Sequence, residues 1–285
     1  MNNEPAEIQA LMTLLGDEDQ NVVQSVRRRI MEMGTPVLPE LKQQYEKQPL
    51  PVKLRMKDIM AQLKPVCLEN KFRDLAPGGD EGSIDLLEAL FTVARVGYPH
   101  LEKEIYLEKF NNIVNDIETR LERWETVDDH TAVETVNSVI FEKYEFRGNE
   151  TNFYDPDNCF INRVLNRRLG SPLLLSCIVL LVARRLNLPY QPVAMPAHSI
   201  VAYSGKKRRI FIDPFHSGQI LTRNDCIEFL NSAGFGFVEE YLAPVSNKRL
   251  LTRLIKNLLN CYHRLHNNSR IEELRGYLAI AERLC

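Results

Sequence analysis

From Tyr154 to Phe215 the chain reads YDPDNCFINRVLNRRLGSPLLLSCIVLLVARRLNLPYQPVAMPAHSIVAYSGKKRRIFIDPF, and this stretch decides the fold. It opens on a polar entry, Tyr154-Asp155-Pro156-Asp157-Asn158. Residues 160–168 have helical spacing, and Leu169-Gly170-Ser171 reads as a turn. Then comes the longest apolar run of the chain, residues 172–183. Pro172 suits a first helical position, where its missing N–H would be unpaired anyway, so a buried helix is expected from there to about Leu186. After Asn187-Leu188-Pro189 the pattern changes to short strands at 191–195, 199–203 and 209–212, with Ser204-Gly205-Lys206-Lys207 as a hairpin tip. Two polar residues stand among these apolar strands. His198 begins one strand and Asp213 ends the next, so antiparallel pairing brings them side by side.

Outward from this stretch the chain is mostly helix-forming. Towards the N-terminus, Ile8, Leu11, Leu14 and Leu15 are spaced as one helix face that stops at Gly16. Asp19 is placed to cap a second helix with Val22, Val23, Val26, Ile30 and Met33, ending at Gly34. Thr35-Pro36 starts a third, and residues 50–63 form a fourth. Residues 74–82 are the clearest loop. Ser83 is read as the cap of the next helix, running to Ala94. A long amphipathic helix at 101–124 carries the only tryptophan, and Thr131 with Glu134 fits a capping box. Beyond the strands, Thr222 opens a helix to Ala233. The chain closes on helices at 247–266 and 269–284, the second capped by Ser269 with Glu272.

The bulk properties exclude several classes. The chain has 285 residues, 44% hydrophobic and 26% charged, with a net charge of −2. No global field favours nucleic acid or an anionic membrane, and no basic stripe or stacking platform points to nucleic acid. The N-terminus lacks a basic segment followed by an apolar one, so no secretory signal is expected. Residues 172–183 are too few to span a bilayer. The six cysteines (67, 159, 177, 226, 261, 285) are scattered without a CxxC pair, which suits free thiols and a cytoplasmic location.

A nucleophile at a helix N-terminus, a histidine on a neighbouring strand and an acid to orient it form the frame of thiol and acyl-transfer enzymes. Here the frame appears in chain order as the Gly170-Ser171-Pro172 turn, His198 and Asp213. The order resembles the transglutaminase-like superfamily, and more closely its SirB-type branch. That resemblance rests on Tyr154-Asp155-Pro156-Asp157-Asn158, Asn162-Arg163-Val164-Leu165, Arg168, Gly170 and Pro172. It continues through Ala183-Arg184-Arg185-Leu186, Pro196-Ala197-His198 and Ile212-Asp213-Pro214-Phe215.

It implies an α+β, mostly helical protein with a transglutaminase-like (papain-like) core and a small antiparallel sheet, flanked by helical-repeat elements. The expected division is a HEAT-like pair of hairpins at 1–73, the core with its helical lead-in at 83–245, and a tetratricopeptide-like hairpin at 246–285. It also implies His198 and Asp213 as the vestigial or active pair, and Tyr154, Asp155, Asn158, Arg168 and Phe215 as binding residues. The superfamily's nucleophilic cysteine falls at Pro172, which has no nucleophilic side chain.

Two readings follow. One is a non-catalytic protein-interaction or regulatory module, with a protein or peptide partner and no cofactor, nucleic acid or membrane. The other is a thiol-protease or acyl-transfer enzyme with a displaced nucleophile, Cys177 or Ser171. Cys177 sits about 140° round the helix from Pro172 and reads more simply as a small buried hydrophobe. Ser171 reads as an N-cap. His216 with Asp213 offers two metal-ligand types, but spacing shows no third, so no metal is expected. Asp155 and Asp157 read as a turn with Pro156. Arg27-Arg28-Arg29 and residues 206–209 read as solvated charge.

Overall fold

The computed structural model describes residues 4–33, 37–76, 84–99, 101–123, 127–205 and 209–284. The expected Gly34-Thr35-Pro36 turn, residues 77–82 of the loop, Ser83, Trp124, residues 206–208 of the hairpin tip, Cys285 and the Cys67 side chain lie outside them. The chain divides into two compact units, Met1–Lys71 and Phe72–Cys285.

The first unit is helical: α1 (Glu4–Leu14), α2 (Gln20–Met33), α3 (Leu38–Tyr45) and α4 (Leu50–Arg73, whose last two residues belong to the second unit). Leu11, Met12, Leu15, Ile30, Leu41 and Met56 fill its core. Asp19 accepts from the Asn21 amide at 2.8 Å, as a cap should. Leu14, expected on the apolar face, is 44% exposed, because Leu15 takes the inward direction at the end of α1. Helix α4 continues ten residues past the expected Leu63.

The second unit begins with α5 (Leu86–Gly97), α6 (Lys103–Leu121) and α7 (Asp129–Asn137), which runs on as a π-turn at Ser138–Lys143. Asp85, not Ser83, caps α5 through the Glu88 amide. Asp128, not Thr131, caps α7 through the Thr131 amide. Then come β1 (Arg147–Gly148), a 3-10 turn (Pro156–Cys159), α8 (Ile161–Arg167), β2 (Leu169–Gly170) and α9 (Pro172–Arg185). β1 and β2 pair in parallel, so the expected turn at Leu169-Gly170 is part of a two-residue ladder.

Strands β3 (Tyr190–Val193), β4 (Ile200–Ser204), β5 (Arg209–Asp213) and β6 (Gln219–Leu221) follow. They form an antiparallel sheet in that order, β6 being absent from the sequence reading. Helix α10 (Arg223–Ser232) starts at the Thr222–Asp225 capping box. Helices α11 (Asn247–Arg264) and α12 (Asn268–Arg283) end the chain. The cap of α12 is Asn267, two residues before the expected Ser269.

Helix α9 positions everything else. Ser171 Oγ accepts from the Leu174 amide at 3.3 Å and Pro172 occupies the first helical position. At the other end Asn187 turns left-handed, with φ of 54°. Its amide reaches Arg184 O, and that of Leu188 reaches Ala183 O at 2.8 Å, the pattern in which asparagine replaces glycine beyond a helix end. Residues 172–183 are buried all round. One face of the sheet, with Val193, Ile200, Ala202 and Phe211, packs on Cys226, Leu230 and Leu242. By alternation, Val201, Tyr203, Ile210 and Ile212 face the other way, and α9 packs against β3 and β4. Covering both faces explains why these strands are apolar throughout. Among the described residues no helix is long and apolar enough to cross a membrane.

Candidate functional site

The antiparallel register pairs Val201 with Ile212, which puts Asp213 opposite Ile200 and close to the turn that carries His198. His198 lies in that turn, two residues before β4, and not in the strand itself. Its carbonyl side is fixed twice. Arg253 Nη2 donates to Met195 O at 2.6 Å and to His198 O at 2.9 Å. Ser176 Oγ, one turn into α9, contacts Ser199 O at 3.1 Å and Pro172 O at 2.8 Å.

His198 Nε2 and Asp213 Oδ2 are 2.7 Å apart, and both residues are buried. The same carboxylate oxygen meets His216 Nδ1 at 2.8 Å, while Oδ1 accepts from the amides of Phe215 at 3.0 Å and His216 at 3.4 Å. Burial pushes the Asp213 carboxyl up, but hydrogen bonds and charge from His198 and His216 outweigh it and hold the group below the usual carboxylate range. His198 is the third ligand-type group that spacing did not reveal. One atom each from His198, Asp213 and His216 lies within 4.8 Å of the others. These three could hold a metal, although here they stand at hydrogen-bond distance and a tetrahedral ion, bound at about 2.0–2.1 Å, would spread them.

A cleft of about 360 Å³ opens at the start of α9. His198, Ser171 and Pro172 line it, together with Phe153 and Tyr154 and with Arg253, Asn257, Asn260 and Cys261 of α11. With Nε2 committed to Asp213, the His198 nitrogen left for a ligand is Nδ1. A second cavity of about 340 Å³ lies beyond Asp213, lined by Gly148, Asn149, Phe215 and the half-exposed His216. The carboxylate therefore sits between a buried imidazole on the first cleft and an open one on the second.

Of the expected binding residues, Tyr154 lines the cleft and Arg264 covers its ring at 3.6 Å. Phe215 lines the second cavity and packs edge-on against His198. The other three line neither cavity. Asp155 pairs with Arg167 at 2.8 Å and caps the 3-10 turn through the Asp157 amide. Asn158 is buried, accepting from Asn149 at 2.9 Å and donating to Asn152 O at 2.8 Å, while its carbonyl receives the Ser171 amide. Arg168 ends α8 in the left-handed conformation and points to Glu145 and Tyr144.

The two expected displaced nucleophiles, Cys177 and Ser171, differ in their surroundings. Cys177 is 1% exposed, does not line the cleft, and burial pushes its thiol up to about 12. The Ser171 hydroxyl is engaged as the α9 cap. Sequence reasoning passed over Cys159 and Cys261. The neighbouring Cys261 and burial raise the Cys159 thiol, while Cys159, despite burial, lowers that of Cys261.

The close approach that shapes this region is at Gly148, where a Cβ would lie 2.5 Å from two carbons of the Phe215 ring. Gly148→Ala should therefore cost about 1–3 kcal/mol through overpacking, read as a lower urea midpoint. A change under ~0.5 kcal/mol would mean the ring is free to retreat.

The start of α9, which carries no cysteine, shares a cleft with His198, and sequence comparison gives this arrangement a class. Residues 104–256, more than half of the chain, match the transglutaminase-like superfamily, and the chain belongs to it. A UPF0162 protein of Xylella fastidiosa is 29% identical over 192 residues, 64% of this chain and 66% of that protein. The chain thus spans just under two thirds of that relative. F-box only protein 21 of Mus musculus is 32% identical over 137 residues, 45% of this chain and 21% of that protein. A UPF0162 protein of Vibrio cholerae is 25% identical over 146 residues, half of each chain. No solved structure matches.

Proposed function

We propose that this is a SirB-type member of the superfamily that binds a protein or peptide in the cytoplasm and does not catalyse acyl transfer. In this reading residues 1–73 are HEAT-like hairpins, residues 83–245 the core with its lead-in, and residues 246–285 a tetratricopeptide-like hairpin. Pro172 carries the proposal. It stands at the first position of α9 on the same cleft as His198, where the chemistry needs a sulfur. The cleft keeps its shape and its imidazole, and its lining includes the exposed aromatics Phe153 and Tyr154, residue types that anchor peptide partners.

The test is incubation of the full chain with a glutamine-donor peptide and a primary amine, with and without a thiol-alkylating reagent. No product above that of His198→Ala is expected. Turnover that disappears in His198→Ala would overturn the proposal.

One observation favours a second reading. Cys261 lines the cleft with its thiol held down by Cys159, so it is a displaced nucleophile of better standing than Cys177 or Ser171. In that case turnover would be abolished by the alkylating reagent and by Cys261→Ser.

A further inference from the structure

The cleft wall made by α11 has chemistry of its own. Arg253, Asn257, Asn260 and Arg264 follow one another at spacings of four, three and four residues. At 100° per residue they fall within an arc of about 60°, along roughly 16 Å of helix. The first three line the cleft, and Arg264 lies over the ring of Tyr154, which also lines it.

Among the described residues Arg253 has no anionic partner. It donates to the carbonyls of Met195 and His198, both through Nη2, which leaves donors on Nη1 and Nε. Burial and the neighbouring Arg249 both pull its pKa down, as expected for a charge that nothing nearby offsets. Among the described residues no carboxylate lines the cleft. Three acids of the surrounding elements are already taken: Asp155 by Arg167, Asp157 by Arg163 and Arg167, and Asp213 by two histidines. A half-buried guanidinium held in place by backbone carbonyls and facing a cavity is poised for an anion from outside. Asn257 and Asn260 make no side-chain hydrogen bond to a described residue. An asparagine amide both donates and accepts, which matches the N–H and C=O of a peptide unit.

Resting on the peptide-binding reading of the cleft, we propose that its ligand is an acidic peptide. Arg253 takes a carboxylate, Asn257 and Asn260 take the backbone, and Phe153 and Tyr154 close over it. The stripe accommodates about five extended residues at ~3.3 Å each.

The test is fluorescence anisotropy on the full chain at pH 7 with two labelled probes, hexaglutamate and hexaglutamine. Hexaglutamate should bind at least tenfold more tightly. Arg253→Gln should remove that preference, while Arg275→Gln, an exposed cation of α12 paired with Glu272, should leave it intact. Because Arg253 also supports the His198 turn, Asn257→Ala is the second variant, expected to weaken both probes three- to tenfold without touching that turn. Equal affinity for the two probes, with both weakened by Asn257→Ala, overturns the acidic ligand and leaves the peptide-binding reading standing. Hexaglutamate binding that survives both Arg253→Gln and Asn257→Ala overturns the site. Failure of hexaglutamate to bind overturns it too.

Discussion

Replacing Pro172 by cysteine should turn the quiet end of α9 into a reactive one. The new sulfur would stand at the first position of a 14-residue helix, on the cleft that His198 lines. The helix N-terminus and a neighbouring imidazole both favour a thiolate, and such sites bring thiols from about 8.5 to ~7 or below. At pH 6 the thiolate fraction would then rise from about 0.3% to ~10%. A less basic thiolate is also a weaker nucleophile, by about fivefold for that shift. The net gain in alkylation by iodoacetamide is therefore about five- to tenfold. The clearer signature is the pH–rate profile, whose midpoint should move down by a unit or more relative to the same substitution in a His198→Ala background.

Folding should tolerate the change, because proline at a first helical position is worth well under ~1 kcal/mol. Peptide mapping separates the new site from Cys159 and Cys261. A midpoint that stays near 8.5, the same in both backgrounds, would mean that His198 does not face this position. Pro172 would then say nothing about lost chemistry.

How much of this was legible depends on how local the physics is. Helix α9 was readable because its start is written twice, in the Ser171 cap and in Pro172, and because a twelve-residue run with Ser176 as its one polar member has no surface to face. The His198–Asp213 contact was readable because two short strands joined by a tip leave few ways to pair. The parallel bridge of Arg147–Gly148 with Leu169–Gly170 was not, since two residues carry no period. The caps of α5, α7 and α12 were misplaced by two or three residues, and in each case a nearby Asp or Asn took the role, downstream for α5 and upstream for α7 and α12. Where several capping residues cluster, spacing alone does not choose, and the bend of the chain does.

The larger omission is functional. Arg253, Asn257 and Asn260 sit on the polar side of an amphipathic helix, which in sequence looks like a solvated face, while Cys261 is buried on the apolar side. Only the packing of α11 on α9 and on the Pro156–Cys159 turn makes that face a wall of the cleft. His216 was noticed as a neighbour of Asp213, yet its meaning depended on His198, far away in sequence.

Asp213→Ala should be the most damaging single change to stability. Four donors converge on this carboxylate: His198 Nε2, His216 Nδ1 and the amides of Phe215 and His216. His216 is half exposed and would turn to water, so its loss alone, as His216→Ala, should cost under ~1 kcal/mol. The His198 ring and the Phe215 amide are buried and would be left without an acceptor, at about 1–3 kcal/mol each. The expected total is about 3–5 kcal/mol, measured by urea unfolding of the full chain with the single tryptophan as reporter. Asp213→Asn keeps an acceptor and the shape while losing the charge, so about 1–2 kcal/mol is expected there.

The pH dependence has a definite sign. The folded carboxyl is held below its ordinary value of 3.8. The stabilisation is therefore complete above that value and is lost as the pH falls through the folded pKa. The gap between the native chain and Asp213→Asn should stay level from pH 5 upward and close only below about pH 4. A gap that closed between pH 5 and 7 would put the stabilisation on a histidine instead. An Asp213→Ala cost under ~1 kcal/mol would mean that the network is solvated and that the His198 ring is not fixed by it.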